Sequence, residues 1–185
     1  GRASRVSIAA GTVTPRTRMV PGPRGRAADS RYPLAMTGVS IRTFVYDSGH
    51  ARPGSVLLPL QAVERLPSKA LGLEGSLELH LGGVAVLTNE SLPMGYVDQW
   101  WLEGLSAAEA LLGLRSARWL LPGKVCRVEI AVIPGTRRAR VWLRMPEDRG
   151  GEALSPVAEC RVPELAEAML AEAERFFEWL GRAEA

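Results

Sequence analysis

The sequence predicts an α+β domain, a mainly antiparallel sheet of about five to seven strands with two main helices packed on it. Three observations predict this class. Strand-like runs are joined by short turns containing Gly or Pro, whereas parallel strands need long crossovers. Two longer segments carry apolar residues at spacings of three and four, the period of a helix with one buried face. The order of parts is strands, helix, strands, helix, without βαβ alternation.

Residues 1–36 are read as a basic leader outside the fold. They hold seven arginines and one acid, Asp29, and Pro, Gly, Ser and Thr are frequent among them. Such a segment buries too little apolar surface to offset its ordering entropy, so it is expected to be disordered. It has three readings: a carried-along upstream stretch, a functional basic arm or an organelle transit peptide. Met19 and Met36 are candidate starts. The single domain is expected to span residues 37–185.

Val39 to Tyr46 reads as a strand, rich in β-branched and aromatic residues. Asp47-Ser48-Gly49 and Pro53-Gly54 punctuate the loop before a short second strand, Ser55 to Leu60. Gln61 to Leu73 has weak helical character, interrupted by Pro67. Leu77, Leu79 and Leu81 then alternate with Glu78 and His80. Gly82-Gly83 separates this run from Val84 to Leu87, which is the signature of a hairpin. Tyr96 to Leu112 reads as a helix whose stripe is Val97, Trp101, Leu105, Ala108 and Leu112, with Gly113 as its stop.

A second hairpin follows. Cys126, Val128, Ile130 and Val132 share one face of its first strand, and Ala139, Val141, Leu143 and Met145 one face of its second. Pro134-Gly135-Thr136-Arg137 makes the turn. Val157 to Val162 is expected to extend the sheet. Pro163 opens the last helix, where a first-turn proline is tolerated. Leu165, Met169, Ala173, Phe176 and Leu180 form its buried stripe, and Glu164, Glu167, Glu174 and Glu178 its solvated face.

Composition narrows the function classes. Of 185 residues 46% are hydrophobic and 23% charged, enough apolar material for a core. No apolar run approaches the length of a membrane span, and the first 35 residues contain no secretory apolar stretch. The net charge of +3 comes from the leader: residues 37–185 hold 16 bases and 19 acids. A mildly acidic body removes the simplest argument for nucleic-acid binding. Cys126 and Cys160 are too few for a disulfide framework and read as reduced, so the protein is expected to be cytoplasmic. Abundant Ala, Arg, Gly, Pro and Leu suggest a bacterial source.

No phosphate-binding glycine loop, dinucleotide fingerprint or nucleophile elbow occurs, so no catalytic residue, cofactor or metal site is predicted. His50 and His80 share no ligand spacing with either cysteine. The strand period places Cys126 and Cys160 with buried neighbours, away from thiolate chemistry. Two surfaces could carry binding. Arg138, Arg140, Trp142 and Arg144 lie together on the outer face of the second hairpin, with Arg127 and Glu129. An exposed Trp among arginines is a recognition surface, whereas a half-buried one under arginine stems is ordinary sheet packing. Trp100 lies at the edge of its helix stripe and is the second candidate contact; core packing is its alternative.

The order of these parts resembles a loose class of small bacterial α+β proteins that includes immunity proteins of polymorphic toxin systems. The strand pair Gly75-Ser76-Leu77-Glu78-Leu79-His80-Leu81-Gly82-Gly83 leads into a Trp-containing helix. The hairpin around Pro134-Gly135 and the amphipathic helix from Pro163 then follow. The resemblance covers about residues 38–182 and is architectural, without a diagnostic motif. It implies a non-catalytic protein that binds a cognate partner. The expected function is therefore a non-enzymatic, immunity-like protein-interaction module. The alternatives are a small enzyme or ligand-binding domain with a pocket between sheet and helices, and nucleic-acid binding through the leader and the arginine hairpin.

Overall fold

Alternation puts Ile41, Thr43 and Val45 on one side of strand β1 (Val39–Tyr46), and all three are buried. Along one edge β1 pairs with the short β2 (Leu57–Pro59), which reaches only Phe44 to Tyr46. β2 ends at a proline, which has no N–H to donate. A 3₁₀ turn at Leu60–Ala62 follows it. Along the other edge β1 pairs with β3 (Glu74–Leu81) from Val39 to Val45. Gly82 and Gly83, at φ 55° and 84°, turn β3 into β4 (Val84–Leu87). A two-residue hairpin needs both central residues in that left-handed region, and glycine reaches it without strain. β5 (Gly95–Tyr96) pairs with the start of β3. These strands make a five-stranded antiparallel sheet in the order β2-β1-β3-β4, with β5 against β3.

Helix α1 (Val97–Leu112) leaves β5 directly. It packs against α2 (Val162–Ala183), β3 and β6 (Ala117–Leu120), so a wide face is covered. Trp100, Trp101, Gly104, Ala107 and Leu111 are buried on it. The Trp101 ring lies 5.2 Å from that of Trp119, centre to centre, and is tilted 42° to it. Gly104 makes room for this: a Cβ there would stand 3.1 Å from the Trp119 ring.

β6, β7 (Arg127–Val132), β8 (Arg138–Arg144) and β9 (Ala158–Arg161) form a second antiparallel sheet, four strands in sequence order. Its inner face carries Trp119, Val128, Ile130, Val141, Leu143 and Cys160, all buried. α2 then runs back across β9 and β1. Leu165, Met169 and Phe176 are buried on it, each worth about 2–3 kcal/mol of burial. Near its end the Trp179 indole N–H donates to the Val63 carbonyl at 2.7 Å.

The computed structural model describes residues 38–65, 72–89, 95–121, 126–145 and 147–183, all within a unit that runs Pro33–Ala185. The predicted leader lies outside the described residues. The α+β class, the antiparallel strands and the two main helices are as the sequence predicts. The strands divide between two sheets, because α1 separates two sets that pair only among themselves. The helix expected over Gln61 to Leu73 is a 3₁₀ turn, and Val63 is already extended at φ −104° and ψ 104°; residues 66–71 lie outside the described residues. β6 has no counterpart among the predicted elements. Among the described residues, no helix is long and apolar enough to cross a membrane.

Candidate functional site

The period of two along β8 sends Ala139, Val141 and Leu143 inward and Arg138, Arg140, Trp142 and Arg144 to the outer face. Pairing registers then fix their neighbours. Arg127 stands opposite Arg144, Glu129 opposite Trp142, and Arg140 opposite Glu159. Arg118 of β6 stands opposite Glu129, and Arg161 of β9 opposite Arg138. One sheet face thus gathers six arginines and two glutamates.

Each glutamate holds two arginines. Arg127 Nε reaches Glu129 Oε1 at 2.6 Å, and Arg118 Nε reaches Oε2 at 3.5 Å. Arg140 Nε reaches Glu159 Oε1 at 3.1 Å, and Arg138 reaches Oε2 at 3.4 Å. Arg144 Nε donates to the Gly151 carbonyl at 2.8 Å. A guanidinium has five N–H donors, and these contacts use few of them. The side chains of Arg118, Arg138, Arg140 and Arg161 are all more than half exposed. The face is therefore a positively charged donor surface, with the half-buried Trp142 among the charges.

Of the predicted contact residues, the structure brings Arg138, Arg140, Trp142 and Arg144 together on this face. Trp100 does not join them. It is fully buried, because α1 is covered from more than one side, and its carbonyl accepts the Trp119 indole N–H at 2.7 Å. The predicted stripe of α1 is rotated accordingly: Leu112 is exposed, and Trp100 and Leu111 are inside. Arg118 and Arg161 were not among the predicted contacts. Arg118 beside Trp119 in Ala117-Arg118-Trp119-Leu120-Leu121 is the signal for Arg118, but β6 is only four residues long, a short strand between a helix stop and Pro122.

A second feature lies between α2 and the half of β1 that β2 leaves open. A cleft of about 340 Å³ is lined there by Ile41, Thr43, Pro59, Glu172 and Arg175, among others. Glu172 is 3% exposed. Its Oε1 accepts the Thr43 N–H at 2.9 Å, and Arg175 donates to its Oε2. Thr43 Oγ1 in turn accepts the Trp101 indole N–H at 3.1 Å. The carboxylate stands where the next strand's carbonyl would be, and satisfies the first N–H beyond the end of β2. Among the described residues, Glu172 is the one carboxylate that lines this cleft, and no histidine lines it. Glu172 could have been found in the sequence: it falls between Met169 and Phe176 on the apolar stripe.

The remaining reactive groups do not assemble. Among the described residues, no cluster of His, Cys, Asp and Glu could hold a metal ion. Cys126 and Cys160 are not joined in a disulfide; Cys126 is half-buried and Cys160 buried. Burial pushes the Cys160 thiol up to about 11; Glu164 adds to the rise and Arg138 opposes it. A thiol so shifted is a poor nucleophile near neutral pH. No family model, curated protein or solved structure matches the chain.

Proposed function

We propose that this chain is a non-enzymatic protein-interaction module whose four-stranded sheet binds an acidic surface of a partner protein. One observation carries the reading: six arginines and two glutamates share one sheet face of a body that is itself mildly acidic. Such a segregated field steers an oppositely charged partner and fixes its orientation. Arginine is also among the residues that most often anchor protein interfaces; Trp142, half-buried, takes the sheet-packing place that was its alternative, so the arginines carry the reading. An immunity-like role, capture of one cognate protein, is the form that the architectural resemblance implies.

Nucleic acid is the weaker reading for the same face. Glu129 and Glu159 sit between the arginines and would meet a continuous phosphate backbone as like charges. A protein surface can place a donor or a gap against each glutamate. The test is calorimetric titration of the full chain with a Glu-rich peptide and, separately, with a DNA duplex. Peptide binding that disappears in the double variant Arg138→Glu, Arg140→Glu, at unchanged melting temperature, supports the proposal. Duplex binding without peptide binding overturns it.

A further inference from the structure

The segment after α1 and the turn of the β7–β8 hairpin line an open cleft of about 480 Å³. Leu114 forms one wall, Val132, Ile133 and Pro134 form the other, and Arg137 also lines it. Leu114 has φ 51°, the one positive φ outside glycine among the described residues. It occupies the position after the helix where the chain reverses. Its N–H donates to the Leu111 carbonyl at 2.8 Å, and the Arg115 N–H reaches back to Ala110 at 2.9 Å. Glycine is the usual residue there, because a Cβ strains the left-handed conformation. The Leu114 side chain is 45% exposed, so packing within the domain offsets little of that strain. A strained apolar side chain kept at the lip of a cleft is the kind of outlier that marks a contact site.

The cleft also continues into the arginine face. Ser116 lines both it and the adjoining depression formed by Arg118 and Glu129, and Arg137 directly precedes β8. A segment lying on the arginines therefore reaches the cleft without leaving a positive field.

We infer that the cleft seats an apolar anchor side chain projecting from the acidic segment that binds the arginine face; this rests on the function proposed above. The occupant is thus an acidic stretch of a partner protein carrying a Leu-sized residue at the end nearest Leu114. Charge complementarity selects the stretch, and the cleft sets its register.

The test is a cycle of two peptides and three proteins, read by fluorescence anisotropy with the full chain. One peptide is rich in Glu and Ser with a single Leu, and the other has Ser in place of that Leu. The proteins are wild type, Leu114→Gly and Ile133→Ala, with the double variant Arg138→Glu, Arg140→Glu as control for the face. Wild type is expected to prefer the Leu peptide by about tenfold, the value of partly burying one such side chain. Both cleft variants are expected to lose most of that preference and to bind the Ser peptide as wild type does. Leu114→Gly keeps the turn in a conformation that glycine favours, so its loss cannot be assigned to unfolding. Equal binding of the two peptides by wild type, abolished in the arginine variant, overturns the cleft and leaves the face standing. A preference that survives both cleft variants also overturns the cleft. Absence of binding by either peptide overturns face and cleft together.

Discussion

The seam between β1 and α2 and the outer face of the four-stranded sheet both set carboxylates against arginines, but in different solvents. In the seam, Glu172 is almost wholly buried, and each of its oxygens has a partner. On the face, the Glu159 side chain is 39% exposed and is shared by two arginines that are themselves mostly in water. Removing a buried carboxylate strands the donors it served, and the cost is large. Removing an exposed one loses a pair that water and salt already weaken. The seam is thus fixed by the fold, while the face can change its partners at little cost to stability. A binding surface needs that second property.

Substitutions put this contrast to the test. Glu172→Ala is expected to cost about 3 kcal/mol in urea denaturation, because the Thr43 N–H loses its acceptor in a dry site. A cost below about 1 kcal/mol would mean that water enters the cleft and takes over the bond. Gly104→Ala is expected to cost about 1–2 kcal/mol by the same measurement, since the new Cβ crowds the Trp119 ring. Leu114→Gly should move the other way and stabilise by up to about 1 kcal/mol, seen as a raised melting temperature.

Cys160 supplies a test on the pH axis. Its folded thiol titrates near 11, above the ordinary value of 9.0. A raised folded pKa means that its contribution to stability is complete below the unfolded value and is lost as pH rises towards the folded one. Alkaline destabilisation is therefore expected above about pH 9, and Cys160→Ala should flatten that limb when urea midpoints are compared. Smallest of all, Glu159→Gln is expected to change stability by less than about 0.5 kcal/mol while strengthening the binding of an acidic peptide.

The legible parts of the fold were those written locally. Gly82-Gly83 and Pro134-Gly135 specify their turns within a few residues, and the α2 stripe repeats from Leu165 to Leu180, over about four turns. The outer-face grouping of Arg138, Arg140, Trp142 and Arg144 follows from alternation alone. Other features depend on contacts distant in sequence. Trp100 is buried because α1 meets β3, β6 and α2, and nothing in its own helix says how many neighbours will cover it. Glu172 finds Thr43 across 129 positions, so its place on the apolar stripe marks it as buried while nothing local names its partner. Arg118 and Arg161 join the four arginines of the hairpin because β6 and β9 flank β7 and β8, and strand order is a long-range property.

The placement of the indoles has an optical consequence. Of five tryptophans, Trp100, Trp101, Trp119 and Trp179 are buried, and Trp142 is the one that water reaches appreciably. A dissolved quencher will therefore meet Trp142 first, and a partner laid on the arginines will shield it. Trp101 and Trp119, with ring centres 5.2 Å apart, are close enough to couple their transitions and give a near-ultraviolet dichroism band that depends on the core. The molecule carries two built-in spectroscopic channels, so occupancy of the face can be followed without a label while the dichroism band reports whether the interior is intact.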